Sequence, residues 1–346
     1  MPPLGFFAQD RLLSFARPVQ RLASATPGRH LVLVVDALDA PDDARNVANP
    51  PRAAAAWRWA LDTLLVTADK GGMLTICRVA ICHCDTFPPC VRGSRDAARA
   101  AVVAATPDAP WLLPEMRAAI MATRAVRAVE LGSRHLRAWL ETTSPPPGLI
   151  VASGPRWALQ LPTIMLNRML ATCAPMCVLH RDLQAPQEAS QPTGRHIVIL
   201  LDGSFPWSGE LVGWCRDALL NTGDRVTLLH APPRSQGSHQ DERRARELER
   251  CQMLLANWSS LKGGGRCIMM RTHERAAHAP CMACHWCPAT FAGVLEGPAA
   301  QQGAVDILVV MRHTSGRWFM GHPACAVIAV DRQVLLQTRE SPLRHW

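Results

Sequence analysis

The sequence predicts an α/β protein made of two parallel-sheet units in tandem. Three observations carry this. Short apolar runs such as Ile197–Leu201 and Val226–Leu229 read as strands buried on both faces, and helical patterns separate them. The same strand–helix alternation occurs twice, with Asp36 matching Asp202, Thr75 matching Thr227, Ile120 matching Ile268, Ile150 matching Leu308 and Val178 matching Val327. No apolar run approaches the ~20 residues that span a bilayer, so a soluble chain without membrane contact is expected.

Residues 1–29 carry Arg11, Arg17, Arg21 and Arg29 against one acid, Asp10, and Leu12, Leu13, Phe15 and Ala16 can form an apolar face. Two readings stand: a transit peptide for a chloroplast or mitochondrion, or an arm of a cytoplasmic protein. Residues 30–182 make the first unit. Leu31–Asp36 is its first strand. Arg52–Asp69 is a helix with Trp57, Leu61, Leu64 and Ala68 on one face, and Gly71-Gly72 stops it before the strand Met73–Ile81. Ser94–Ala105 is an alanine-rich helix. Arg117–Thr123 is expected as the third strand because of its likeness to Arg266–Thr272, and Val126–Glu141 as the helix after it. Leu149–Ser153 and Met176–His180 are the fourth and fifth strands, with a helix over Ala158–Thr172 between them. Residues 183–194, rich in Pro, Gln, Ala and Thr, are the linker.

Residues 195–331 make the second unit. After the strand Ile197–Leu201 and the turn Asp202-Gly203-Ser204, Ser208 can cap a helix with Glu210 in its first turn. Leu211, Trp214, Cys215 and Ala218 share one face of that helix. Gly223 suits the left-handed residue beyond the helix end, and Val226–Leu229 completes a βαβ unit. Asp241–Lys262 is a long helix with Leu248, Cys251, Leu255, Trp258 and Leu261 in a stripe, ended by Gly263-Gly264-Gly265. Arg266–Thr272, Asp306–Met311 and Pro323–Val330 are the remaining strands. Residues 332–346 form a tail with a short strand at Val334–Gln337.

The strand ending in Asp202-Gly203-Ser204, the following helix and the strand closing in Leu228-Leu229-His230 resemble the universal stress protein family. Val305–Val310 is similar to that family's fourth strand and Pro323–Val330 to its fifth, with the glycine-bearing loop His313–Gly321 between them. The first half repeats the pattern more faintly. The resemblance implies two doubly wound domains of strand order 3-2-1-4-5. It also implies that they dock through their last strands as an intramolecular pseudo-dimer, with a homodimer as a further option. The implied role is a binding or signalling module for a nucleotide, ATP or AMP, and not an enzyme.

For that strand order the loops after strands one and four diverge and leave a crevice. In the second half these loops carry Asp202, Gly203 and Ser204 against Arg312, Ser315, Gly316 and Arg317. In ATP-binding members the strand-one aspartate lies near the adenosine and a glycine loop holds the phosphates. Here only Gly316 and Gly321 remain of that loop, at altered spacing. Backbone N–H groups at Ser315-Gly316 and the charges of Arg312, His313 and Arg317 can still serve phosphate, and Trp207 or Trp318 can stack on a base. The bland alternative is a pair of exposed loops. In the first half Asp36 keeps its place, but Ser153-Gly154-Pro155-Arg156-Trp157 offers one glycine, and its proline removes a donor.

Thirteen cysteines and no secretory leader predict a reducing compartment and mostly buried free thiols. Cys281, Cys284, His285 and Cys287 form the tightest cluster. Three thiolates and an imidazole suit zinc, and Cys281-Met282-Ala283-Cys284-His285 also fits a redox pair or haem attachment. A second function class therefore stands beside nucleotide binding: a metal- or redox-responsive structural protein. The looser set Cys82, His83, Cys84 and Cys90 is expected to have no role. A formal charge of +9 permits an acidic partner, but no nucleic-acid motif accompanies it. No catalytic triad, nucleophile elbow or Walker loop occurs.

Overall fold

A computed structural model of the chain describes residues 29–36, 59, 72–80, 103–104, 108–109, 111–122, 126–144, 147–153, 170, 173–179, 194–201, 207–220, 223–230, 238–261, 266–271, 304–311 and 325–335. It is a mixed α/β structure with a mostly parallel sheet. The chain divides into two compact units. One comprises Met1–Met176 with Gln184–Gln187, the other Cys177–Leu183 with Glu188–Trp346.

In the first unit β1 (Arg29–Asp36) is central. It pairs in parallel with β2 (Gly72–Ala80) on one side and β5 (Leu149–Ser153) on the other. Beyond β2 lies β4 (Val126–Gly132), also parallel, and β3 (Val103–Ala104) joins β4 antiparallel. Val32 and Leu33 are fully buried, as are Leu74, Ile76 and Cys77. Burial of successive residues, which point to opposite faces of a strand, explains why these runs are apolar throughout and not alternating.

Four expectations are overturned here. Residues 117–122, expected as a strand, belong to helix α1 (Pro114–Ala122). Pro114 takes the first helical position, where its missing N–H is not needed, and Glu115 sits in the favourable first turn. Met116 and Ala119, three apart, supply the buried face. The expected helix over 126–141 is β4 followed by helix α2 (Ser133–Thr142). Val126, Ala128, Val129 and Leu131 are buried, while Arg127 and Glu130 are only partly so. This near-alternation was masked by reading it together with the helix behind it. Arg127, and not Ile120, lies opposite Thr75, as Ile268 lies opposite Thr227. Val103 and Ala104, expected at the end of a helix, are strand. β6 (Met176–Leu179), at the boundary between the units, is buried along its length.

In the second unit the strand order is β11-β10-β7-β8-β9, all parallel. The strands are β7 (His196–Leu201), β8 (Arg225–His230), β9 (Arg266–Arg271), β10 (Ile307–Met311) and β11 (Ala326–Val330). Helix α3 (Ser208–Trp214) runs on into a π-helical turn, Cys215–Leu219. Leu211, Trp214 and Cys215 face the core and Ala218 is half-buried. Helix α4 (Ser238–Leu261) packs Cys251, Leu255 and Trp258 inward. Residues 332–335 are helical and not a strand, with Val334 and Leu335 buried.

Gly223 has φ +87°, the left-handed conformation expected beyond the helix. Gly194 passes so close to it that a Cβ on Gly194 would lie 1.8 Å from the Gly223 carbonyl oxygen. Gly194→Ala must shift backbone, with an expected loss of about 1–3 kcal/mol. Urea unfolding should show a lower midpoint at unchanged slope, and an unaltered midpoint would refute the close approach.

Candidate functional site

Each central strand begins at a buried histidine. In the first unit His30, second in β1, lies opposite Met73, and its Nε2 is 2.7 Å from Oγ1 of Thr75, two residues further along β2. In the second unit His196, first in β7, lies opposite Arg225, and its Nε2 is 2.9 Å from Oγ1 of Thr227, again two residues on. All four residues are at most 1 % exposed. The backbone repeats the match: Gly148 N–H donates to the His30 carbonyl (2.8 Å), and Asp306 N–H to the His196 carbonyl (3.0 Å).

Donor counting assigns the protons. His196 Nδ1 is 3.2 Å from the Ala304 carbonyl, which only accepts, so Nδ1 carries the proton. In the neutral ring Nε2 then accepts from the Thr227 hydroxyl. In the first unit Arg127 Nε donates to Thr75 Oγ1 (2.8 Å), so the one hydroxyl joins the guanidinium to the His30 ring. Asp306 adds a carboxylate contact that Gly148 lacks: its Oδ2 accepts the His196 N–H at 2.7 Å. Arg195, beside His196, forms a buried ion pair with Asp224, Nε to Oδ1 at 3.0 Å, and also donates to the Leu219 carbonyl. Sequence reading noted the two threonines and missed the histidines, which look like ordinary residues just before an apolar run.

These anchors lie at the amino ends of the strands, and the candidate crevice lies at the carboxyl ends. β7 and β10 are parallel neighbours, with Leu200 opposite Val310. β7 continues in sequence into Asp202-Gly203-Ser204 and β10 into Arg312 and onward to Ser315, Gly316 and Arg317. Asp36 is the last residue of β1, and β1 pairs with β5. Asp202, Gly203, Ser204, Arg312, Ser315, Gly316 and Arg317 themselves lie outside the described residues, as do Cys281, Cys284, His285 and Cys287. Among the described residues no cluster of three or more His, Cys, Asp or Glu could hold a metal, and no helix is long and apolar enough to cross a membrane.

Helix α3, which follows the Asp202 loop in sequence, starts against a carboxylate. Ser208 is the first residue of α3 and not its cap; Trp207 occupies the cap position without a side-chain bond. The carboxylate of Glu247, from α4, accepts the Gly209 N–H at 2.7 Å instead. Arg250 lies 3.5 Å from Glu210 and 3.7 Å from Glu247 and ties the two helices together. A phosphate at the start of α3 would meet Glu247 and Glu210. Trp207, a candidate stacking residue, already has the Arg332 guanidinium 4.4 Å from its ring centroid, so one face is taken.

Cys77, Cys177, Cys215, Cys251 and Cys325 are buried and Cys173 is half-buried. Burial pushes the thiols of Cys251 and Cys325 up to about 12, helped by Glu247 at the first and Asp306 at the second. Burial also raises Cys77 far above the usual range, and burial together with the Cys325 thiol raises Cys177. A raised thiol pKa keeps the neutral form in the fold. Its contribution to stability is whole below the unfolded value, about 8.5, and is lost as pH climbs toward 12.

No family model matches the sequence, and no curated protein matches it. Among solved structures, a universal stress protein from Archaeoglobus fulgidus DSM 4304 is similar at TM-score 0.44 and 9 % identity, over 90 % of this chain and 98 % of that one. Histidinol dehydrogenase from Elizabethkingia anophelis follows at TM-score 0.23 and 8 % identity, over 88 % and 54 %. An N-terminal ketoreductase from the macrolactin assembly line is at TM-score 0.19 and 9 % identity, over 89 % and 50 %.

Peptide-resolved alkylation at pH 8 should leave Cys77, Cys177, Cys251 and Cys325 unmodified in the native protein and label them on denaturation. Stability should fall between pH 9 and 12. Native labelling of these four as fast as a free thiol would contradict their burial.

Proposed function

We propose that the chain is a tandem universal-stress-protein-like module for binding or signalling, without turnover, that takes ATP or AMP at the second unit's crevice. The observation that carries this reading is the pairing of β7 with β10 at the point where the sheet order changes direction. The chain leaves β7 toward β8 on one side and leaves β10 toward β11 on the other, so the two loops diverge over one gap. In this reading Asp202, Gly203 and Ser204 line the adenosine side. Arg312, Ser315, Gly316 and Arg317 take the phosphates through backbone N–H groups and positive charge. At the start of α3 the Gly209 N–H is already taken by Glu247, which leaves phosphate to the arginine-bearing loop. In this reading the base stacks on the face of Trp207 away from Arg332.

The matched His–Thr pairs and the matched backbone bonds of Gly148 and Asp306 support the tandem part of the reading. Asp36 stands where Asp202 does, but its partner loop after β5 has one glycine and a proline, so binding is assigned to the second unit alone. An intramolecular pseudo-dimer of the two units belongs to the same proposal.

Thermal or chemical denaturation with ATP and AMP tests it. Ligand at a hundredfold over its dissociation constant should stabilise by about 2.7 kcal/mol. Asp202→Ala and Arg317→Ala should each remove most of that gain, and Asp36→Ala should leave it intact. No stabilisation at millimolar nucleotide would refute the proposal, and steady phosphate release would refute the absence of turnover.

A further inference from the structure

Among the described residues of the first unit, two buried donors have no acceptor: Nε of Arg78 and Nε1 of Trp111. Trp111 precedes α1 and is 4 % exposed. The Arg78 guanidinium carbon is 5.8 Å from the Trp111 ring centroid, so both donors belong to one cluster. Buried polar groups in folded proteins are almost always paired, and a lone unpaired donor points to a missing water, ion or ligand. Two such donors in one neighbourhood, one of them on a cation, mark a place where an acceptor belongs.

We propose that this cluster binds a small monocarboxylate. Arg78 lies opposite Glu130 in the β2–β4 register, and its Nη1 donates to Glu130 Oε1 at 3.2 Å. That contact occupies one end of the guanidinium. The Nε side is left, and its charged N–H suits an oxygen of a planar carboxylate. One carboxylate oxygen meets Arg78 and the other turns toward the indole N–H. Charge selects the ligand class. Glu130 already balances Arg78, so a dianionic phosphate would face a net repulsion, whereas one further negative charge is tolerated because Glu130 is 41 % exposed and screened by water. The site involves no residue of the nucleotide proposal and stands independently of it.

The test uses the full chain labelled with ¹⁵N at its tryptophan indoles, with Trp111→Phe identifying the Trp111 signal. Acetate is titrated against chloride at constant ionic strength, then phosphate. The expected result is a saturable shift of the Trp111 indole N–H with acetate and none with phosphate. Glu130→Gln should tighten acetate severalfold and admit phosphate, and Arg78→Lys should weaken acetate at least severalfold. An unmoved Trp111 signal in both wild type and Glu130→Gln overturns the proposal and leaves ordered water as the partner. Equal shifts in wild type and Arg78→Lys overturn it as well. Should Arg78→Lys fail to fold, the half-exposed Glu130→Gln variant decides alone.

Discussion

The structure depends on how register is fixed in strands that are apolar on both faces. His-Ile-Val-Ile-Leu-Leu beside Arg-Val-Thr-Leu-Leu-His offers almost no hydrophobic preference between one alignment and the next. In a half-exposed strand, alternation would punish a slip by turning the apolar set to solvent; here both faces are buried and that penalty vanishes. The His196–Thr227 pair replaces it. A slip of one residue would leave an imidazole and a hydroxyl buried and unpaired, each at a cost of about 1–3 kcal/mol. His30 and Thr75 do the same in the first unit, with Arg127 as a further donor. Register set at the amino ends then carries along each strand to its carboxyl end, where Asp36 closes β1 and the chain passes from β7 to Asp202.

Much of the strand framework was legible because parallel, doubly buried strands leave short apolar runs that nothing else imitates. Leu31–Asp36, Ile197–Leu201, Val226–Leu229 and the runs that became β10 and β11 fall within or beside the observed strands. The error lay where one residue type served two purposes. In Arg117–Thr123 the alanines permitted a strand by analogy with 266–272, while Pro114 and Glu115, just upstream, were the real signal of a helix start. Val126–Gly132 runs straight into α2; Gly132-Ser133 marks the boundary between Leu131 and Leu136, but the apolar positions on either side were joined into one helical pattern.

The candidate site was less legible, for a different reason. Sequence can place Asp202 at a strand end, but it cannot see that a carboxylate from α4 has reached α3 before any ligand. Glu247 takes the Gly209 N–H and Arg250 clasps Glu210 and Glu247, so the charge beside the crevice comes from residues about 40 positions apart. The same holds for the cysteines. Their number suggested chemistry, yet those described are mostly core residues whose burial holds the thiols protonated.

A double-mutant cycle on His196 and Thr227 tests the register account most directly, with His196→Leu, Thr227→Val and the double variant compared by urea unfolding. Each single change should cost about 1–3 kcal/mol by stranding its partner, and the double should cost clearly less than their sum, because neither the imidazole nor the hydroxyl is then left without the other. Additivity within about 0.5 kcal/mol would mean that the pair is a bystander and that register is fixed by something else.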